Sequence, residues 1–213
     1  MTADGASRPP AVRWWRQGVA FPAIIASVLV LLWVGGRPIS EGLRYERTAI
    51  AAGELWRLVS GNLVHASGQH LLLNLAGLGL AALLLPGEYS RREWSLIGLS
   101  SALAIAAGLW WGSPEVGWYV GLSGVLHGIL AAGAFAWWQS RLRWMAIMLT
   151  AILVAKLAGE QLFGAIGWSG DLDVIVDAHL YGALGGAVAG VTLRGLRNQA
   201  DATRVPPGTS GPV

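Results

Sequence analysis

The chain has 213 residues, 54% of them hydrophobic and 13% charged, with a mean hydropathy of +0.52, 12 Trp and no Cys. Soluble domains carry roughly a quarter charged residues, which excludes an ordinary cytosolic enzyme, and the missing cysteines exclude disulfides, thiolate metal sites and a cysteine nucleophile. The formal charge of +3 comes from arginines set between apolar segments, a pattern of membrane topology rather than of nucleic-acid binding.

Six apolar segments follow one another: 18–36, 69–85, 94–111, 119–138, 142–163 and 174–193. At about 20 residues per span they predict an all-α polytopic membrane protein, a six-transmembrane-helix bundle. Its domain runs over 18–194, between an N-terminal tail at 1–17 and a disordered C-terminal tail at 195–213. Arg8, Arg13 and Arg16 precede the first segment, but its apolar stretch is too long for a signal peptide and five more spans follow. With both termini inside, ten arginines face the cytoplasm and only Arg37, Arg44, Arg47 and Arg57 face outward. The outer loops after the third and fifth spans hold only the acids Glu115, Asp171 and Asp173. That distribution places both tails in the cytoplasm. Tryptophans near the span ends, among them Trp33, Trp94, Trp111, Trp137, Trp138 and Trp144, read as anchors at the headgroup level.

The long outer connection 37–68 mixes charges with apolar residues, and Glu54–Val64 is expected to form an amphipathic helix in the membrane interface. In the second span His70 and Asn74 are four apart, hence on one helix face, and set two hydrogen-bond donors at an outer membrane level. The same spacing also reads as a polar clamp between helices. The fourth segment is the most informative. From Ser123 to the inner anchors Trp137 and Trp138, a helix is about 24 Å long, short of the ~30 Å hydrocarbon core. The preceding 113–122, rich in Gly and carrying Pro114, therefore enters the membrane as non-helical chain, tolerated only where protein covers it or it lines a water-filled cavity. Ser123 is expected at a helix N-terminus on the floor of an outward-facing cavity, although a serine in a Gly-rich packing motif accounts for the same residues.

In the fifth span Lys156 and Glu160 are i,i+4 and read as a structural ion pair. In the sixth, Gly182, Gly186 and Gly190 share a helical face with His179, and Gly124, Gly128 and Ala132 give the fourth span a matching surface. Small residues allow close helix approach. Packing of these two helices brings Ser123 and His179 within reach, the arrangement a nucleophile and its base require. Asp177, two residues from His179, points elsewhere on the helix, so no triad is predicted. The four histidines also raise a metal or haem reading, but no HExxH or His-rich run supports it, and no cofactor or metal is expected.

These residues together resemble the rhomboid intramembrane serine proteases. The stretch His65-Ala-Ser-Gly-Gln-His70-Leu-Leu-Leu-Asn74 is similar to their second-span motif, Gly121-Leu122-Ser123-Gly124 to their nucleophile motif, and Ala178-His179-Leu-Tyr-Gly182 to their sixth-span motif. Gly53-Glu54-Leu55-Trp56-Arg57-Leu58 resembles a conserved stretch of their first loop. The resemblance implies Ser123 as nucleophile and His179 as base in a Ser–His dyad. It also implies an oxyanion hole of His70, Asn74 and the Ser123 backbone N–H, with Gly121 and His65 in support; His127 is read as supporting the site from beside it. WRLVSGNLVH, GLSGVLHG, KLAGEQLFG and VDAHLYGALGG look most like the rhombosortase subfamily. That likeness implies cleavage of exported, membrane-anchored proteins at a C-terminal Gly-Gly, hydrophobic and basic tail. The location it implies is the inner membrane, with the site opening to the outer side. The alternatives are a rhomboid protease of other transmembrane substrates and a non-catalytic membrane adaptor. His127 departs from the family, where that position is often Tyr; it lies i+4 from Ser123 and competes as the base on spacing alone.

Overall fold

The computed structural model describes residues 10–138, 140–165 and 174–204. The acids Asp171 and Asp173, the first nine residues and the last nine lie outside the described residues. The chain runs α1 (Pro10–Val34), α2 (Gly36–Leu43), β1 (Tyr45–Glu46), α3 (Arg47–Ala51), α4 (Arg57–Ser60), a 3-10 turn (Gly61–Leu63), α5 (Gly68–Leu84), α6 (Arg91–Trp111), β2 (Trp118–Tyr119), α7 (Ser123–Trp138), α8 (Arg143–Phe163) and α9 (Val176–Arg204).

Each predicted apolar segment lies mainly within a helix, but among the described residues only α6 and α8 are individually long and apolar enough to cross a membrane. Two further candidates are bent pairs, Val19–Val34 with Gly36–Leu43 at 114° and Arg57–Leu63 with Gly68–Leu84 at 90°. Outward faces of α5, α8 and α9 carry exposed Leu72, Leu83, Met148, Ile152, Leu162 and Val188. An apolar outer surface of this kind faces lipid or a partner rather than water.

Helix starts follow from local chemistry. Ser67 caps α5 by accepting the His70 backbone N–H at 3.1 Å. Ser90 and Glu93 form a reciprocal capping box at α6. The non-helical stretch before α7 is present as expected, and α7 is the 16-residue helix expected from Ser123 to Trp138. The sequence left its partner unread: β2 pairs antiparallel with β1, Tyr45 opposite Tyr119 and Glu46 opposite Trp118.

Three expectations are corrected. Glu54–Val64 is not one interfacial helix but a turn of α-helix and a 3-10 turn. Arg57 points inward there, donating to Glu54 Oε2 at 2.6 Å and to the Glu41 and Arg44 carbonyls at 2.7 and 2.9 Å. A buried guanidinium satisfied by loop carbonyls locks a compact loop instead of an amphipathic surface. Trp137 is no anchor: it is buried, and its indole N–H donates to Glu88 at 3.0 Å. Helix α9 continues to Arg204, well into the stretch read as a tail. Arg197 holds the extension, pairing with Glu93 and donating to the Glu88 carbonyl at 3.2 Å.

The main core sits where α5, α6, α7 and α9 meet. Its side chains are Leu71, Leu78, Ala102, Ile105, Leu109, Val125, Leu126 and Ala178. Small residues set the spacing between α7 and α9. A Cβ on Gly182 would stand 2.1 Å from the Gly124 carbonyl oxygen, and one on Gly186 2.1 Å from that of Gly128.

Candidate active site

The α7–α9 contact fixes the chemistry. Ser123 opens α7 and His179 lies one turn into α9. His179 Nε2 is 2.9 Å from Ser123 Oγ. On its other side, His179 Nδ1 is 2.9 Å from Glu160 Oε2 of α8. A carboxylate only accepts, so Nδ1 carries the proton and Nε2 presents a lone pair to the Ser123 hydroxyl. Glu160 and His179 are both buried. The second Glu160 oxygen accepts from Lys156, the ion pair expected one turn back.

Glu160 is the partner that sequence reasoning missed. The i,i+4 pair with Lys156 accounted for it fully, and nothing in the spacing tied residue 160 to 179. Asp177, as expected, faces away: it accepts from Ser113 Oγ at 2.5 Å, and that hydroxyl lies 3.2 Å from the Tyr181 hydroxyl.

His127 also lies at the centre. Its ring stacks on His179, centroids 4.3 Å apart and planes 17° from parallel. Its Nδ1 is 2.7 Å from the Ser123 carbonyl oxygen, which makes Nδ1–H the donor. The nitrogen nearest the serine is thus committed to backbone, and the ring supports His179 from its face.

His127, Glu160 and His179 each offer a ligand atom, all within 4.8 Å of one another. Their geometry suits hydrogen bonding better than coordination. Lone pairs of stacked, near-parallel imidazoles run side by side instead of converging on one ion, and both Glu160 oxygens already accept.

Above the serine lies a cavity of about 680 Å³, lined by His70, Glu115–Val120, Ser123, Val174 and Ile175 among others. Gly121 shapes the chain between Val120 and Ser123, both of which line the cavity. With φ of +119°, it occupies backbone space that side-chain-bearing residues rarely adopt, and a Cβ there would sit 2.5 Å from His70 Cε1. Its N–H donates to the Gly61 carbonyl at 3.0 Å, and its carbonyl accepts from the Tyr119 hydroxyl at 2.6 Å. His70 therefore packs on the strand that delivers Ser123.

Asn74 is buried below His70, and its Nδ2 donates to the His70 carbonyl at 3.1 Å. One of its two N–H groups is thereby used within α5. His65 is buried with its ring edge-on to His70, centroids 5.1 Å apart. It packs against that imidazole.

Apolar-faced helices around a Ser–His–Glu chain, its His179 and Glu160 buried and its Ser123 half-buried at a cavity, define a helical membrane protein with a polar centre. Residues 52–196 match the Rhomboid domain, so the chain belongs to the rhomboid family, whose members are serine intramembrane proteases. No curated protein matches the chain.

Proposed function

We propose that this chain is an intramembrane serine endopeptidase with Ser123 as nucleophile and His179 as general base. The observation that carries it is the 2.9 Å contact between Ser123 Oγ and His179 Nε2 at the floor of the cavity. Attack of Oγ on a scissile carbonyl passes the hydroxyl proton to His179 Nε2. The tetrahedral oxyanion meets the Ser123 backbone N–H, the free amide hydrogen of Asn74 and the imidazole of His70. Donors of this kind are worth about 2.7–4 kcal/mol each. Collapse returns the proton to the leaving amine, and water admitted from the cavity resolves the acyl-enzyme.

In this reading α1 and α5 to α9 are six spans, with both termini cytoplasmic and the cavity open to the outer side of the inner membrane. The arginine distribution supports that orientation. The substrates are exported proteins held by a C-terminal Gly-Gly, hydrophobic and basic tail, a class supported by the rhombosortase-like wording around each motif. The test is co-expression with a secreted reporter bearing such a tail, comparing wild type with Ser123→Ala. Shortening of the reporter by wild type alone is expected. Cleavage only of a generic transmembrane substrate moves the substrate class. Cleavage surviving Ser123→Ala, or absent from well-inserted wild type with either substrate, overturns the protease.

A further inference from the structure

We propose that Glu160 is a positioning residue of this site: its carboxylate holds His179 in the tautomer that accepts the Ser123 proton, and Lys156 anchors the carboxylate. The inference rests on the protease reading and goes beyond the Ser–His dyad expected from sequence.

Three contacts define the orientation of one imidazole. His179 Nδ1–H is held by Glu160 at 2.9 Å, its face by His127 at 4.3 Å, and its Nε2 looks at Ser123 Oγ at 2.9 Å. The stacking contact leaves the imidazole free to turn in its own plane. Only the Glu160 bond distinguishes Nδ1 from Nε2, because an ionised carboxylate accepts and never donates. In the proton step the Oγ–H bond breaks and an Nε2–H bond forms. The Nδ1 proton stays on His179, and Glu160 stays ionised. The imidazolium that results is then balanced on one side by Glu160 and on the other by the developing oxyanion.

Lys156 completes the arrangement. A lone carboxylate taken into an apolar helix bundle costs several kcal/mol. The Lys156 ammonium, on the more exposed side of the pair, offsets that charge. The cluster draws on three helices: α7 gives Ser123 and His127, α9 gives His179, and α8 gives Lys156 and Glu160. A purely structural Lys156–Glu160 pair would need only α8. The second carboxylate oxygen aimed at His179 is what that reading leaves unexplained.

The experiment compares wild type, Glu160→Gln and Lys156→Met for cleavage in proteoliposomes and for labelling of Ser123 by a fluorophosphonate. Glutamine keeps the shape and an acceptor but loses the charge. A fall in kcat of about 10²- to 10⁴-fold, the span of general-base catalysis, is expected with KM little changed. Lys156→Met should fall between the two. Independently of any variant, histidine nitrogen NMR of wild type at neutral pH should show His179 as the Nδ1–H tautomer. An Nε2–H tautomer, or kcat within threefold of wild type in a folded Glu160→Gln protein, overturns the proposal while leaving the protease standing. Absent cleavage and labelling in wild type would instead overturn the protease.

A different part of the molecule carries a second inference. A cavity of about 1000 Å³ opens between α1, α5, α6 and α7, walled by Ile25, Leu78, Ala102, Val125 and Ile129. Arg91 and Arg92 stand at one end, and their side chains pair with no described residue. Basic pockets between spans on the cytoplasmic side suit anionic head groups. We infer that this cavity seats an anionic diacyl phospholipid, phosphate on the two arginines and chains against the apolar wall. Protein extracted from bilayers of equal phosphatidylglycerol and phosphatidylcholine should retain an excess of the anionic lipid by mass spectrometry. Arg91→Gln with Arg92→Gln should abolish that excess, and Arg141→Gln with Arg143→Gln, which do not line the cavity, should leave it. Equal retention of both lipids, or the same loss in both double variants, overturns the inference.

Discussion

Gly182 lies so close to Gly124 that the two helices carrying the site meet backbone to backbone, a Cβ on Gly182 standing 2.1 Å from the Gly124 carbonyl oxygen. The Ser123–His179 distance is thus set by glycines that take no part in the chemistry. Overpacking costs typically 1–3 kcal/mol. Gly182→Ala and Gly186→Ala should each lower thermal stability in detergent and cut cleavage more than tenfold by parting α7 from α9. Gly190→Ala, whose Cβ would meet Ala132 Cα at 3.0 Å, should be the mildest of the three in both measurements.

His127 offers a test of which histidine serves Ser123. Its ring stacks on His179 and its Nδ1–H is spent on the Ser123 carbonyl. Ring pairs contribute about 0.5–1.5 kcal/mol beyond burial, or about a two- to twelvefold rate effect. His127→Ala should lose about that much kcat, and His127→Phe, which keeps a ring on His179, less. His179→Ala should abolish turnover. A loss in His127→Ala as deep as in His179→Ala would make His127 the base.

Arg47 binds the outer connection to the chain that leads into α7. It donates to the carbonyls of Leu109, Trp110, Ser113 and Val116, which include the open C-terminus of α6, and lies over the Trp110 ring at 5.0 Å. Hydrogen bonds to a charged group contribute about 1.5–3 kcal/mol. Arg47→Gln should lower the melting temperature and loosen 113–122, seen as faster amide exchange there and not in α8.

Most of the helices and the small-residue seam were legible because both rest on local periodicity. The seam needed only the offsets of Gly182, Gly186 and Gly190 from His179. Long-range pairings were not. Tyr45 and Tyr119 sit in two-residue strands too short to show alternation, so their register comes from the fold alone. Trp137 obeyed its composition rule and broke it in context, because Glu88 from the α5–α6 connection accepts its N–H. Glu160 was hidden for the reason already visible in its pairing: a residue with one satisfactory partner in sequence advertises no second.

Gly121 and His70 supply the sharpest coupling test. The residue at 121 holds φ of +119°, and its missing Cβ is the space that the His70 ring fills at 2.5 Å. Gly121→Ala therefore carries two costs, backbone strain of about 1–3 kcal/mol and displacement of His70. The two are separable. In a His70→Ala background the clash is gone and only the strain remains, so Gly121→Ala should destabilise less there than in wild type. Directly interacting residues couple by about 0.5–3 kcal/mol, and thermal unfolding of the four proteins measures it. Cleavage should follow a parallel rule: if His70 acts on the oxyanion, Gly121→Ala should cost activity in wild type and little more once His70 is absent. Strictly additive losses in stability would mean that His70 does not occupy the space the glycine leaves.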